Sequence, residues 1–491
     1  MSNNKKSIKQ LLLMIGLTFG TQFCLLITTS ILASKFGVGV EMDALTLSNS
    51  ISIFIYSFIG AGVTTILIPN LIDEVNKEAV NTFLTVLYSV AFIVLLVLII
   101  FKYPIITLVS GEKNSIFVEI ASTLLPIILL SQFVNSFLGF SNAVLQNKGK
   151  FNYPKLTTLI TSMLLMFLLM FYNHLTLYSY AFFTLVTVLL NVILQLLQVK
   201  RVGFQYRFSL KIKDERFIKI IHTFFPIILS TGLYQFSLVI GTTIATRLGE
   251  GQSSILNYSN SITSMLNMLL LANIMAFLYP TLARSIKSQN PHIKLFDYFL
   301  FLNAILSIIV VIFIIVGKEG ITLLYERGNF SSTATEIVYK CSLIYILALP
   351  INGMRDLIYR YFYVNSDTYT PFLNSIIISI LNIIVSMILS TFIGIYGIVL
   401  GTMLTSYLSL TMILIKFKKT FGFNYNKRVF VIENLKILII TLLSIMLAAL
   451  LKNYFALQSE VFSLFIYIPI IILIFGCLLL LTKSRVFHIN I

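Results

Sequence analysis

Tryptophan is absent, histidine occurs four times and cysteine three times, and only 11% of the 491 residues are charged. Each scarcity excludes something. Cys24, Cys341 and Cys477 fall inside apolar runs and share no CxxC spacing, so they read as small core residues rather than disulfides or metal ligands. The histidines are scattered, with no HExxH or comparable cluster, so a metal centre has no support. There is no GxxxxGK[ST] stretch, and no polar segment is long enough to hold an ATPase domain. Any transport would therefore draw on an ion gradient, the membrane potential or the substrate's own gradient, and no cofactor is expected. An ordinary soluble domain is about a quarter charged; this chain, 58% hydrophobic, cannot be one.

What the sequence does have is long apolar runs. Windows of about 20 residues, the length that crosses a ~30 Å hydrocarbon layer, predict spans near 9–34, 44–71, 79–101, 115–143, 155–172, 176–199, 218–246, 253–281, 296–316, 333–363, 371–393, 395–415, 433–451 and 461–482. The expected fold class is an all-α integral membrane protein with about 14 transmembrane helices. The basic stretch before the first run looks superficially like a secretory leader, but no small-residue cleavage site follows, and it reads as the start of a retained span. Thirty-five Lys and Arg against 18 Asp and Glu give a formal charge of +17. In a soluble protein that excess would suggest nucleic acid; here topology explains it, and no nucleic-acid partner is expected. With the N-terminus in the cytoplasm, 27 of the 35 basic residues fall on the inner side and 7 on the outer, with Lys340 inside a span. The positive-inside rule thus places both termini in the cytoplasm of a multi-pass plasma-membrane protein.

The chain also repeats itself. Ala33-Ser-Lys-Phe-Gly-Val-Gly39 matches Ala245-Thr-Arg-Leu-Gly-Glu-Gly251, and Ser48-Asn-Ser-Ile51 matches Ser259-Asn-Ser-Ile262. Pro69-Asn-Leu71 matches Pro280-Thr-Leu282 at the same offset as the serines. The register implies a duplicated six-helix unit, and because six is even both copies enter the membrane from the same side. The expected organisation is an N-terminal lobe at 1–199, a basic cytoplasmic linker at 200–217, a second lobe at 218–420, and two additional helices with a tail at 421–491.

Polar side chains cluster where the repeats begin. Gln22, Thr28, Asn49, Gln235, Asn260 and Ser261 are candidate cavity residues, because amides and hydroxyls facing a wet cavity suit a sugar-like ligand. Helix packing is the competing use of any single Ser or Thr. Asp43 opens the second span, where a carboxylate can cap the helix and still face a cavity. Glu336 and Lys340, four apart with the acid first, form the favourable helical pair and should neutralise each other. Arg355 and Arg360 are spaced to meet a phosphate, against the alternative that they are topogenic charge. Pro126, Pro226 and Pro350 mark bends.

Leu324-Tyr-Glu-Arg-Gly-Asn-Phe-Ser331, then Arg360-Tyr-Phe-Tyr-Val-Asn-Ser-Asp-Thr-Tyr-Thr-Pro371 with Leu381-Asn382, together with Phe36-Gly-Val-Gly39 and Asp43-Ala44, resemble the corresponding segments of MurJ (MviN) proteins. These are the lipid II flippases of the multidrug/oligosaccharidyl-lipid/polysaccharide superfamily, and the resemblance covers roughly residues 10–420. It implies two six-helix lobes around a central cavity plus two C-terminal helices, and a transporter rather than an enzyme. It also implies cavity arginines in the first, second and eighth spans, but the aligned positions here hold Gln22, Thr28, Tyr56 and Ser261. Carboxylates associated with sodium binding align with Gly241 and Ser386, whereas Asp43 matches a functional acid. With those arginines replaced, the cationic contact to a pyrophosphate falls to Lys35, Arg247, Arg355 or Arg360.

The expected function is translocation of a polyprenyl-pyrophosphate-linked saccharide, either a lipid II-like peptidoglycan precursor or a surface-polysaccharide repeat unit as in Wzx-type flippases, by alternating access across the bacterial cytoplasmic membrane. Two other readings stand beside it: a cation-coupled drug or metabolite exporter of the same superfold, and a non-transporting membrane partner of a polysaccharide synthesis machine. Cell-envelope polysaccharide synthesis proteins are the candidate protein partners.

Overall fold

A computed structural model describes residues 2–70, 77–111, 115–271, 273–275, 278, 282, 291–365, 367–422, 425–455, 457 and 459–488. Among them there is no β-strand. In the first half run α1 (Ser2–Phe36), α2 (Val40–Asn70), α3 (Lys77–Ile100), the short α4 (Lys102–Ser110), α5 (Ser115–Asn147), α6 (Asn152–Phe171), α7 (Leu177–Arg201) and α8 (Glu215–Leu248). Then follow α9 (Gln252–Leu266), continued by a π-helical turn at Asn267–Leu271, α10 (Pro291–Tyr325), α11 (Ser332–Leu347), α12 (Leu349–Val364), α13 (Tyr369–Ile393), α14 (Ile395–Phe421), α15 (Lys427–Tyr454) and α16 (Glu460–Leu481).

Among the described residues eleven helical segments, α11 and α12 counted as one, are long and apolar enough to cross a membrane. With 31 and 34 residues, α2 and α8 also exceed the about 20 residues that a crossing needs. Together with the segment opened by α9, these helices correspond to the fourteen apolar runs of the sequence. Polar as well as apolar side chains are buried, while many large apolar side chains face outward. Ser48, Ser52, Thr82, Ser122, Ser254, Thr335 and Ser342 are fully buried, whereas Phe171, Phe392 and Leu481 are more than three-quarters exposed. Outward apolar faces and interior hydroxyls suit a chain whose solvent is hydrocarbon.

Local chemistry sets the helix ends. Asp214 and Ser331 cap α8 and α11, and Thr176 and Ser179 close a capping box at α7. Pro350 lies in the first turn of α12, just after the break at Ala348, where its missing N–H costs nothing. The bend expected at Pro126 does not interrupt α5, and α8 runs on through Pro226, whose side chain lies outside the described ones.

Packing divides the chain into two compact units, Met1–Ser254 and Ile255–Ile491. Within the first unit α8 packs against α2. The same unit pairs α2 with α5 and α1 with α6. Where α2 meets α5 the approach is backbone to backbone: a Cβ at Gly139 would lie 2.3 Å from the Gly60 carbonyl oxygen. Buried Gln195 ties α5, α6 and α7 together. It accepts from Ser141 Oγ at 2.7 Å and donates to Thr157 Oγ1 and Asn191 Oδ1, both at 3.2 Å. Interhelical bonds within membranes average about 0.6 kcal/mol each, so Gln195→Leu is expected to cost about 1–2 kcal/mol, read as a lower melting temperature of the purified protein with the fold retained.

In the second unit α10 is central, contacting α11, α12, α15 and α16. α13 and α14 form a hairpin zipped by small and polar residues. A Cβ at Gly397 would lie 2.3 Å from the Leu389 carbonyl carbon, and one at Gly401 would lie 2.5 Å from Ser386 Oγ. Asn382 Nδ2 donates to Thr402 and Thr405 at 3.2 and 3.1 Å, and Asn374 Nδ2 donates to Ser409 Oγ at 2.8 Å. Close helix approach of this kind is what small residues in membrane spans permit.

The sequence repeat persists in the bonding. Ser48 Oγ donates to the Ala121 carbonyl on α5 at 3.2 Å, and its repeat counterpart Ser259 donates to the Val338 carbonyl on α11 at 3.3 Å. Each duplicated serine therefore secures the second span of its repeat to the fourth. Leu71 and Pro280, in the third matching pair, lie outside the described residues.

Candidate functional site

The most highly engaged of the candidate residues is Asp43. It does not cap α2, which begins three residues earlier at Val40. Its carboxylate instead caps the start of α9: Oδ2 accepts the Gly251 N–H at 2.6 Å, while Oδ1 accepts the Ser254 N–H at 2.7 Å and the Ser253 hydroxyl at 2.9 Å. Asp43, Ser253 and Ser254 are all 2% exposed or less. A buried carboxylate needs such partners, and the unbonded N–H groups of a helix start supply them together with the favourable end of the helix dipole. The two repeated glycine turns meet here. A Cβ at Gly39 would stand 3.4 Å from Glu250 Oε1, and one at Gly251, where φ is +82°, would stand 2.5 Å from Val38 Cγ1. Only glycine combines that backbone with that approach.

Below this cap the seam between α2 and α8 stays polar. The Ser50 and Thr242 hydroxyls bond at 3.2 Å, and further along Phe54 and Phe236 pack with ring centroids 5.7 Å apart. Asn49 and Gln235 are half-buried, and among the described residues neither side chain has a hydrogen-bond partner. The same is true of Gln22 on α1, and of Asn260 on α9, which is exposed. Thr28 is buried with its hydroxyl unpartnered. Unspent amide and hydroxyl capacity of this kind is what a saccharide would use.

Other positions are spent on packing. Ser261 bonds back to the Asn257 carbonyl at 2.8 Å. Tyr56, where the resemblance leads to the expectation of an arginine position, is a core residue, edge-on to Phe133 and donating to the Ala91 carbonyl at 3.3 Å. Ser386, where the resemblance leads to the expectation of an acid position, donates to the Ile398 carbonyl against Gly401.

The candidate cations are also engaged. Arg247 donates to the Leu108 carbonyl at 3.0 Å, in the last turn of α4, where a cation suits the helix dipole. Arg355 pairs with Asp356 at 3.0 Å and lies over the Tyr359 ring, while Arg360, half-buried on the same helix, also has a partner. Glu336 takes Lys340 at 3.2 Å, the pairing expected from the spacing, and Lys318 at 2.6 Å as well. The structure thus unites Asp43 with Gly251, Ser253 and Ser254 and aligns Asn49 and Ser50 beside α8. Arg355, Arg360, Asn260 and Ser261 belong to the second unit. Among the described residues no cluster of His, Cys, Asp and Glu is disposed to hold a metal.

Sequence reasoning missed the partners of Asp43. The signal was present in Gly251-Gln-Ser-Ser254, a helix start whose N–H groups had no local acidic cap. It also missed the π-helical turn, where Asn267 buries an unpartnered Oδ1.

The family model described as "Lipid II flippase MurJ" matches residues 32–470. A Rickettsia prowazekii protein described as "Probable lipid II flippase MurJ" is 23% identical over 457 residues, 89% of each chain. A Helicobacter pylori protein with the same description is 28% identical over 258 residues, an alignment that spans 51% of this chain and 54% of that one. Among solved structures, "Lipid II flippase MurJ, inward closed conformation" superposes with a TM-score of 0.78 at 23% identity, covering 97% of this chain and 99% of that one. A MATE transporter of Vibrio cholerae superposes at 0.61 with 14% identity, covering 87% of this chain and all of that one.

Proposed function

Since the chain belongs to the lipid II flippase MurJ family, transporters and not enzymes, we propose that it carries a polyprenyl-pyrophosphate-linked saccharide from the inner to the outer leaflet of the bacterial cytoplasmic membrane. The observation that carries this reading is the Asp43 cap on α9. It is a latch made of one buried carboxylate and the N–H groups of a helix start, so it can be broken and remade without unfolding either helix. The distribution of Lys and Arg supports a cytoplasmic position for both termini. Two six-helix lobes, at 1–199 and 218–420, are the moving bodies; the stretch 200–217 links them, and the helices of 421–491 are additional.

Gln22, Thr28, Asn49, Gln235 and Asn260 supply neutral hydrogen-bonding groups for the sugar, and Ser261 can join them only by giving up its bond to the Asn257 carbonyl. Arg247, Arg355 and Arg360 are the cations available to the pyrophosphate, reached by exchanging their present partners for phosphate oxygens. Neutral groups where the family resemblance implies arginines favour a second cargo, a surface-polysaccharide repeat unit on the same kind of lipid. Expression in cells depleted of their own lipid II flippase tests the choice. Restored growth identifies lipid II as cargo. Restored surface polysaccharide in a mutant lacking its own repeat-unit flippase, without rescue of growth in the first strain, identifies the other. Rescue of neither by stably produced protein counts against the flippase reading.

A further inference from the structure

The segment between α7 and α8 is a strap laid along α3. Phe204 packs edge-on against Phe140 of α5 with centroids 5.2 Å apart. The hydroxyls of Tyr206 and Thr85 bond at 2.7 Å, those of Ser209 and Thr82 at 2.8 Å, and Lys211 pairs with Glu78 at 2.6 Å. As the strap's numbers rise, those of α3 fall, so the strap runs antiparallel to the helix. Strap, start of α3 and end of α5 enclose a cavity of 850 Å³.

The charge of that cavity is one-sided. Lys77, Lys148, Arg207 and Lys211 line it, and Glu78, already paired with Lys211, is the acid in its wall. Asn81 also lines it, only 8% exposed, and its Oδ1 has no hydrogen-bond partner. A buried amide oxygen without a donor is costly unless a ligand or water supplies the proton. At the wall of the same cavity Phe208 and Leu210 are 72% and 54% exposed. Cations, a waiting acceptor and bare apolar side chains together describe a phosphate that carries a hydroxyl group and is attached to acyl chains.

We propose that this cavity binds the headgroup of an anionic glycerophospholipid, with Lys148 and Arg207 on the phosphate, Asn81 accepting from a headgroup hydroxyl, and Phe208 and Leu210 against the chains. A basic pocket at the cytoplasmic ends of membrane spans is where such headgroups are recognised. The inference rests on α3, α5 and α7 being spans whose ends here face the cytoplasm, and not on the identity of the carried saccharide. The bound lipid would clamp the strap to α3 and so fix the entry into α8.

The test is native mass spectrometry of the purified full chain with phosphatidylglycerol or phosphatidylethanolamine added. Wild type is expected to retain phosphatidylglycerol about tenfold better, and Lys148→Gln/Arg207→Gln to bring the two lipids near parity. The control Lys213→Gln/Lys219→Gln removes the same charge from exposed positions outside the cavity and should change retention less than about twofold. Equal retention of both lipids by wild type overturns the proposal, as does equal loss in the two double variants, which would mean diffuse surface charge. Glycerol 1-phosphate, added as a free phosphate, should compete weakly; its binding where phosphatidylglycerol does not bind overturns the lipid assignment. Translocation measured on the same preparation separates the readings. A wild type that keeps the lipid preference but moves no lipid-linked saccharide leaves this site standing and counts against the transport function.

Discussion

Asp43→Ala is expected to lower translocation at least about tenfold, because it leaves the buried N–H groups of Gly251 and Ser254 without acceptors, at about 1–3 kcal/mol each. The penalty falls on any state in which the cap is made, and a shift of 1.4 kcal/mol between two states is already about tenfold in their populations. Asp43→Asn keeps one carbonyl oxygen but turns an NH₂ toward one of the two backbone donors, so it should be intermediate. Asp43→Glu adds a methylene where the contacts are 2.6–2.9 Å, and should resemble alanine. Vesicle translocation rates for the three variants, each checked for folding by its melting curve, measure the order. Wild-type rates in Asp43→Ala would remove the cap from the mechanism.

The second large effect is structural. Gly139→Ala puts a methyl 2.3 Å from the Gly60 carbonyl oxygen and 2.6 Å from its Cα. Both clashing atoms are backbone, so no rotamer change relieves the contact; α2 and α5 must separate. Overpacking that moves backbone costs about 1–3 kcal/mol and occasionally more, and this position should lie at the upper end. The expected result is little folded protein after extraction and a melting temperature well below that of wild type. By contrast Gly16, where an added methyl would meet no atom within 4 Å, should accept alanine without loss. Equal stability of the two variants would mean that the α2–α5 contact is looser than the structure has it.

Much of the fold was legible because hydrocarbon thickness imposes one length on every crossing. The apolar windows correspond to the helices, and polar breaks such as Asn173–Thr176 and Gly422–Asn426 fall between them. What escaped was whatever does not cross. α4 is nine residues long, with a proline at its third position, and falls in the break between the third and fourth predicted spans. The tenth span breaks into two helices beside Pro350, which the sequence marks as a bend but not as a full break. The strap 203–213 alternates apolar and basic residues and shows in sequence only as positive charge; its pairing with Thr82, Thr85 and Glu78 depends on where α3 lies.

The site was legible in residue type and not in pairing. Asp43 stood out as an acid at the edge of an apolar run, but its partners lie more than 200 positions away. The use of each polar position depends on its neighbours in space: Tyr56 and Ser386 are spent on packing, whereas Gln22 keeps its hydrogen-bonding capacity free among the described residues.

The central claim is that this chain moves a polyprenyl-pyrophosphate-linked saccharide between leaflets. Its most direct test is a reconstituted leaflet-translocation assay, with lipid II in one set of vesicles and a simpler undecaprenyl-pyrophosphate saccharide in another. Transfer of at least one of them above the protein-free rate, and its loss in Asp43→Ala, is the predicted result; folded wild-type protein that transfers neither lipid contradicts the account.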